Sequence, residues 1–170
     1  MKKSEQHILI VDDELEIRKI IQEILDDEGF STATAASAEE ARRSIEKRIP
    51  DLVFLDIWMP EEDGISLLKE WTSEPSLDIP VIMISGHATI ETAIEATKLG
   101  ARNFIEKPIS IEKLLNSAQE AIKQNETQDN VFVHLIKSTK AFTDVIDDLK
   151  KELEQETVSY THLTLPTNRE

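Results

Sequence analysis

The chain has 170 residues, 39% of them apolar and 31% charged, with 34 acidic against 19 basic side chains and a net charge of −15. Its length suits one ordinary domain with a remainder, and the acidic surplus argues against nucleic-acid binding, which needs a basic face. It has no cysteine, hence no disulfide and no thiolate metal site, and no apolar run long enough to cross a membrane.

The basic start at Met1–His7 lacks the long apolar stretch of a secretory signal, which together with the missing cysteines fits a cytoplasmic protein. Ile8–Val11 is a continuous apolar run, the pattern of a parallel strand buried on both faces. Ile17, Ile20, Ile21, Ile24 and Leu25 then recur at helical spacing, and Gly29 follows as a helix stop. Phe30–Ala35 predicts a weaker strand and Ala38–Ile45 a helix. Leu52–Leu55 predicts a second buried strand, with a helix over Ile65–Trp71 starting beside Gly64. Val81–Ile84 predicts a third buried strand after Pro80. Ile90, Ala93, Ile94 and Thr97 mark a helix ending at Gly100. Arg102–Ile105 is a short strand, and Ile111, Leu114, Leu115, Ala118 and Ile122 mark a last helix.

Five βα units within residues 1–124 predict an α/β fold: a doubly wound, five-stranded parallel sheet with helices on both faces. Residues 125–157 predict a polar linker and an amphipathic helix (about 134–157) striped by Phe142, Val145, Ile146, Leu149 and Leu153. That stripe is too short to predict a coiled coil. Residues 158–170, threonine-rich and almost uncharged, are expected to be a non-native or disordered tail.

Ligands of such sheets bind beyond the carboxyl ends of the strands. There the sequence places Asp12 and Asp13 after the first strand, Asp56 after the third, Ser85 after the fourth and Lys107 after the fifth. Three carboxylates crowded together are costly without positive charge nearby, and a hard divalent cation or Lys107 would supply it. Asp56 ends a central buried strand and is therefore the best-held candidate nucleophile, able to form an acyl phosphate. Each residue alone has an ordinary explanation: Asp12 or Asp13 as a helix cap, Asp56 as a loop residue, Ser85 as a turn residue, Lys107 as a solvated charge. The combination at four strand ends does not.

These residues and their neighbours resemble the receiver domain of two-component response regulators. The resemblance rests on Val11-Asp12-Asp13-Glu14, Leu55-Asp56-Ile57-Trp58-Met59-Pro60 with Asp63-Gly64, Ile84-Ser85-Gly86-His87-Ala88 and Phe104-Ile105-Glu106-Lys107-Pro108, and covers about residues 7–124. It implies the flavodoxin-like strand order 2-1-3-4-5. It implies Asp56 as phosphoacceptor for a sensor histidine kinase, with Mg²⁺ (or Mn²⁺) held by Asp12, Asp13, Asp56 and the Trp58 backbone carbonyl. Lys107 would pair with the phosphoryl oxygens, Ser85 would be the switch hydroxyl and Phe104 the aromatic that moves with it. The Lys107–Pro108 bond would be cis. Met59, Pro60, Gly86, His87 and Pro108 would flank the site, with Trp58 and His87 placed to tune water access or to be plain surface residues. The chain would catalyse its own phosphorylation and dephosphorylation without being a turnover enzyme. The run from Ile84 to Ala93 is similar to the nitrogen-regulation (NtrC/NtrX-like), sigma-54-dependent group, whose members carry an ATPase and a DNA-binding output. No Gly-x-x-x-x-Gly-Lys-Ser/Thr loop is present, so no ATP hydrolysis is expected. The amphipathic helix would then lead toward an output domain. A homodimer is expected through that helix or through the face of residues 89–98, 102–105 and 110–123.

Other classes fit less well. A stand-alone receiver acting on a partner protein is the nearest alternative. A hydrolase using an aspartyl phosphate commonly has a second acid two residues after the nucleophile, and here that residue is Trp58. A flavin phosphate would be repelled by the acidic rim.

Overall fold

In the computed structural model, residues 6–87 and 89–127 are described, together with 147 and 151, both helical. The chain divides into two units, residues 1–125 and 126–170. The predicted helix at 134–157 and the tail at 158–170 otherwise lie outside the described residues.

In chain order the elements are β1 (His7–Val11), α1 (Leu15–Asp27), β2 (Ser31–Ala35), α2 (Ala38–Lys47), β3 (Leu52–Asp56), α3 (Gly64–Ser73), β4 (Val81–Ser85), α4 (Ile90–Lys98) and β5 (Asn103–Glu106), followed by α5, helical from residue 111 through 127, so that residues 125–127 are helix where a polar linker is expected. All four strand pairings are parallel and the order is β2-β1-β3-β4-β5. Every residue of β1, β3 and β4 is buried, because helices cover both faces of the central strands. The edge strands are more polar: β2 reads Ser-Thr-Ala-Thr-Ala and β5 Asn-Phe-Ile-Glu, each with one buried residue.

Strand periodicity sorts the core into two layers. Leu9, Val11, Val53, Leu55, Val81 and Met83 pack with Ala38, Ala41 and Ile45 of α2, Leu67, Leu68 and Trp71 of α3, and Ala96 of α4. Ile8, Ile10, Leu52, Phe54, Ile82, Ile84 and Ile105 pack with Ile21 and Leu25 of α1 and with Leu114, Ala118, Ala121 and Ile122 of α5. In α4 the apolar stripe that marks the helix is not the face it buries. Ile90 and Ile94 are 78% and 48% exposed, whereas Ala96 is fully buried. A small alanine sets α4 close to the sheet and leaves the larger isoleucines outside.

The start of α3 fixes the end of β3. The Gly64 amide donates to the Ile57 carbonyl at 2.8 Å, and a Cβ at Gly64 would lie 2.0 Å from the Asp56 carbonyl oxygen. Only a residue without a side chain allows this approach. Gly64→Ala is therefore expected to destabilise the unit by about 1–3 kcal/mol, as overpacking against backbone does. Urea unfolding checks this, and an unchanged midpoint would contradict the close approach.

Candidate functional site

The sheet reverses its winding between β1 and β3, and the crevice beyond their carboxyl ends carries the site. Asp12 leaves β1 fully buried and Asp56 closes β3 at 2% exposure, while Asp13 is exposed. One oxygen from each of the three carboxylates lies within 4.8 Å of the others. Asp12 is held at both ends: its Oδ1 accepts from the Glu14 amide at 2.8 Å, and its carbonyl accepts from Arg18 of α1.

Lys107 follows the edge strand β5 and reaches across the ends of β4 and β3. Its Nζ lies 2.9 Å from Asp12 Oδ2, 2.9 Å from Glu14 Oε1 and 3.7 Å from Asp56 Oδ1. The Asp12 contact is a buried ion pair, and a carboxylate oxygen paired with one ammonium keeps lone-pair capacity. The Lys107–Pro108 peptide is cis.

Ser85 is fully buried at the end of β4, where its Oγ accepts from the His87 amide at 3.2 Å. Phe104 of β5 sits opposite Met83 of β4 and is half-buried against the layer of α2, α3 and α4. Around the rim, Met59 is buried, whereas Pro60, Gly86, His87 and Pro108 are exposed. Trp58 is 58% exposed.

Helix capping does not account for the acidic pair. Ser37, Asp63 and Thr89 cap α2, α3 and α4 with their side chains, but α1 has Glu14 at its N-cap with no side-chain bond. Glu14 instead spends its carboxylate on Lys107, a role that sequence alone did not assign. The available signal was weak: an acid at a helix start where Ser, Thr or Asp would cap better. Arg18 left no signal, since its partner is a backbone carbonyl.

Burial pushes the Asp56 carboxyl up to about 7, and the charges of Asp12 and Asp13 add to this while Lys107 opposes it. Burial also raises Asp12 above the ordinary carboxylate range, against the pull of Lys107. Burial draws Lys107 down, but its bonds to Asp12 and Glu14 outweigh that and hold it above an ordinary lysine. The ammonium is therefore fully charged at neutral pH. One lysine does not neutralise three clustered carboxylates, and the residual negative charge with its free oxygens fits a hard divalent cation.

These shifts have a consequence for stability. The native state holds a proton on Asp56 up to about pH 7, whereas the unfolded chain releases it near 3.8. Asp56 therefore favours the fold below about pH 4, and that contribution is lost as pH rises toward 7. Without divalent cation, Asp56→Asn is expected to melt several degrees above wild type at pH 7.5, on the scale of ~1 kcal/mol in a domain of this size, and the gap should close near pH 4. Calorimetric melts across this range test it, and a gap independent of pH would refute it.

Residues 8–119 match the response regulator receiver domain family. The nitrogen assimilation regulatory protein NtrX of Azorhizobium caulinodans is 46% identical over 118 residues, 68% of this chain and 26% of that protein. A putative NtrX-like response regulator of Rickettsia bellii is 46% identical over 110 residues, 64% of this chain and 23% of that protein. The crystal structure of the receiver domain of NtrX from Brucella abortus aligns with a TM-score of 0.63 at 48% identity, covering 68% of this chain and 98% of that one. The chain thus spans about a quarter of the length of the NtrX relatives it matches. With its parallel 2-1-3-4-5 sheet and acidic rim, the chain belongs to the response regulator receiver domain family, with NtrX-like regulators among its relatives.

Proposed function

We propose that this chain is a phosphorylation-controlled switch that takes a phosphoryl group from a sensor histidine kinase onto Asp56. The observation that carries this is the cluster of Asp12, Asp13 and Asp56 oxygens within 4.8 Å of one another, with the Lys107 ammonium 3.7 Å from Asp56. Asp12, Asp13, Asp56 and the Trp58 carbonyl would hold Mg²⁺ or Mn²⁺. When bound, that ion offsets the charge between a carboxylate nucleophile and an incoming phosphoryl group.

The chain's own groups do the rest. An ionised Asp56 oxygen forms the new bond to phosphorus as the bond to the kinase histidine nitrogen breaks. The rigid β3 end aims that oxygen. Lys107, drawn toward Asp12 and Glu14 beforehand, is within reach of the new phosphoryl oxygens. Water attacking the same phosphorus returns the carboxylate, so the chain takes part in its own resetting.

Phosphorylation places about −1.5 to −2 charges and new acceptor oxygens at the rim. Ser85 Oγ–H can donate to them. Turning toward them moves the Oγ that accepts from the His87 amide, and so draws on the loop between β4 and α4. Phe104, half-buried beside Met83, lies where a displaced loop would let it move inward. The face of α4, β5 and α5 would change accordingly, and its exposed Ile90, Ile94 and Ile111 suit a homodimer contact. The name of one relative, a nitrogen assimilation regulatory protein, supports a regulatory output, and its sigma-54 type rests on the resemblance of the run from Ile84 to Ala93. Direct control of a partner protein by the same face is the second reading.

Incubation with Mg²⁺ and acetyl phosphate should add one phosphoryl group, seen by intact mass and removed by hydroxylamine. Asp56→Asn should abolish the adduct, and Asp13→Ala should lower Mg²⁺ affinity at least tenfold, as loss of a carboxylate ligand does. An undiminished adduct on Asp56→Asn would overturn the assignment.

A further inference from the structure

Arg42 lies on α2, away from the acidic rim, and its guanidinium grips two carboxylates. Nη1 and Nη2 donate to Glu62 Oε2 and Oε1 at 2.9 and 2.7 Å. Nε and Nη2 donate to Glu70 Oε1 and Oε2 at 2.9 and 2.5 Å. Glu70 belongs to α3, so that arm joins two helices. Glu62 belongs to neither helix: it lies in the loop of residues 57–63 that leaves Asp56.

That loop is tightly tied at its ends. The Ile57 amide donates to Ile84 at 3.0 Å, the Gly64 amide to Ile57 at 2.8 Å, and Asp63 accepts from the Ser66 amide at 2.8 Å. Its middle is not relaxed: Glu61 has φ +70, a left-handed conformation that side-chain-bearing residues rarely adopt, and the Glu62 amide turns back to Pro60 at 2.8 Å. A backbone held away from its own preference needs an outside anchor. The paired bonds from Arg42 to Glu62, the residue after Glu61, are such an anchor, and paired guanidinium–carboxylate bonds fix orientation as well as distance. Trp58, two residues after Asp56, lies in the same loop.

We propose that Arg42 is a positioning residue for the cation site: through Glu62 it holds the loop between β3 and α3, and with it the Trp58 backbone beside Asp56. This rests on the proposed binding of Mg²⁺ by Asp56 and the Trp58 carbonyl. The two arms of the guanidinium allow it to be separated from simple strapping of α2 to α3.

The test uses the full chain with Glu62→Gln and Glu70→Gln. Amide exchange is followed by NMR without metal, and Mg²⁺ affinity is measured by calorimetry. Glu62→Gln should speed exchange at the Glu62 and Gly64 amides and weaken Mg²⁺ binding roughly tenfold, the scale of losing an outer partner of a metal ligand. Glu70→Gln should leave both near wild-type values. Unchanged exchange and affinity in Glu62→Gln, or equal changes in the two variants, would overturn the proposal. Wild-type protein that binds no Mg²⁺ would overturn the cation site itself, and this role of Arg42 with it.

Discussion

Two carboxylates stripped of water cannot share a sheet rim with a third unless positive charge is delivered among them. Asp12 and Asp56 are almost wholly buried and Asp13 stands beside them, so each ionisation makes the next harder. The lysine that answers this does not come from a neighbouring strand. It is carried on β5 and crosses two strand ends to reach Asp12. The geometry of β5 and the turn after it is thus subordinate to a charge problem on the far side of the sheet. Glu14 adds a fourth acid that draws the same ammonium outward, so Lys107 is shared between a buried partner and an exposed one.

The fold meets that requirement by making the centre of the sheet rigid and its rim deformable. Leu9, Val11, Val53 and Leu55 lock β1 and β3 into one layer, and Ile8, Ile10, Leu52 and Phe54 lock them into the other. The acids at the ends of these strands therefore have little freedom. The following loops are held by individual hydrogen bonds and an ion pair rather than by a packed core: the Gly64 amide on Ile57 and Arg42 on Glu62 in one, the His87 amide on Ser85 in the other. A new charge at Asp56 meets an unyielding strand and loops that can yield.

The strands and their order were legible because burial on both faces writes uninterrupted apolar runs, as in Ile8–Val11, Leu52–Leu55 and Val81–Ile84. The rim was legible because each run ends in a residue able to do chemistry. The face of α4 was not, since hydropathy marks Ile90 and Ile94 while the docking is done by Ala96, whose small size matters more than its apolarity. Glu14, Arg18 and Arg42 were hidden for a different reason. Their partners are a lysine 93 residues away, a backbone carbonyl, and two acids 20 and 28 residues away. Charged residues that common carry no periodic signature of such pairings.

The order of strands also bears on how the chain is made. β1 is made before both of its neighbours, yet it lies between β2 and β3 and pairs with both. One of its edges waits until Leu52–Asp56 has been synthesised. During that interval His7–Val11, the most apolar segment of the N-terminal third, has an open hydrogen-bonding edge and no complete cover, a condition that favours association between nascent chains. The acidic surplus, whose repulsion keeps such intermediates apart, protects the molecule before it has a site to protect.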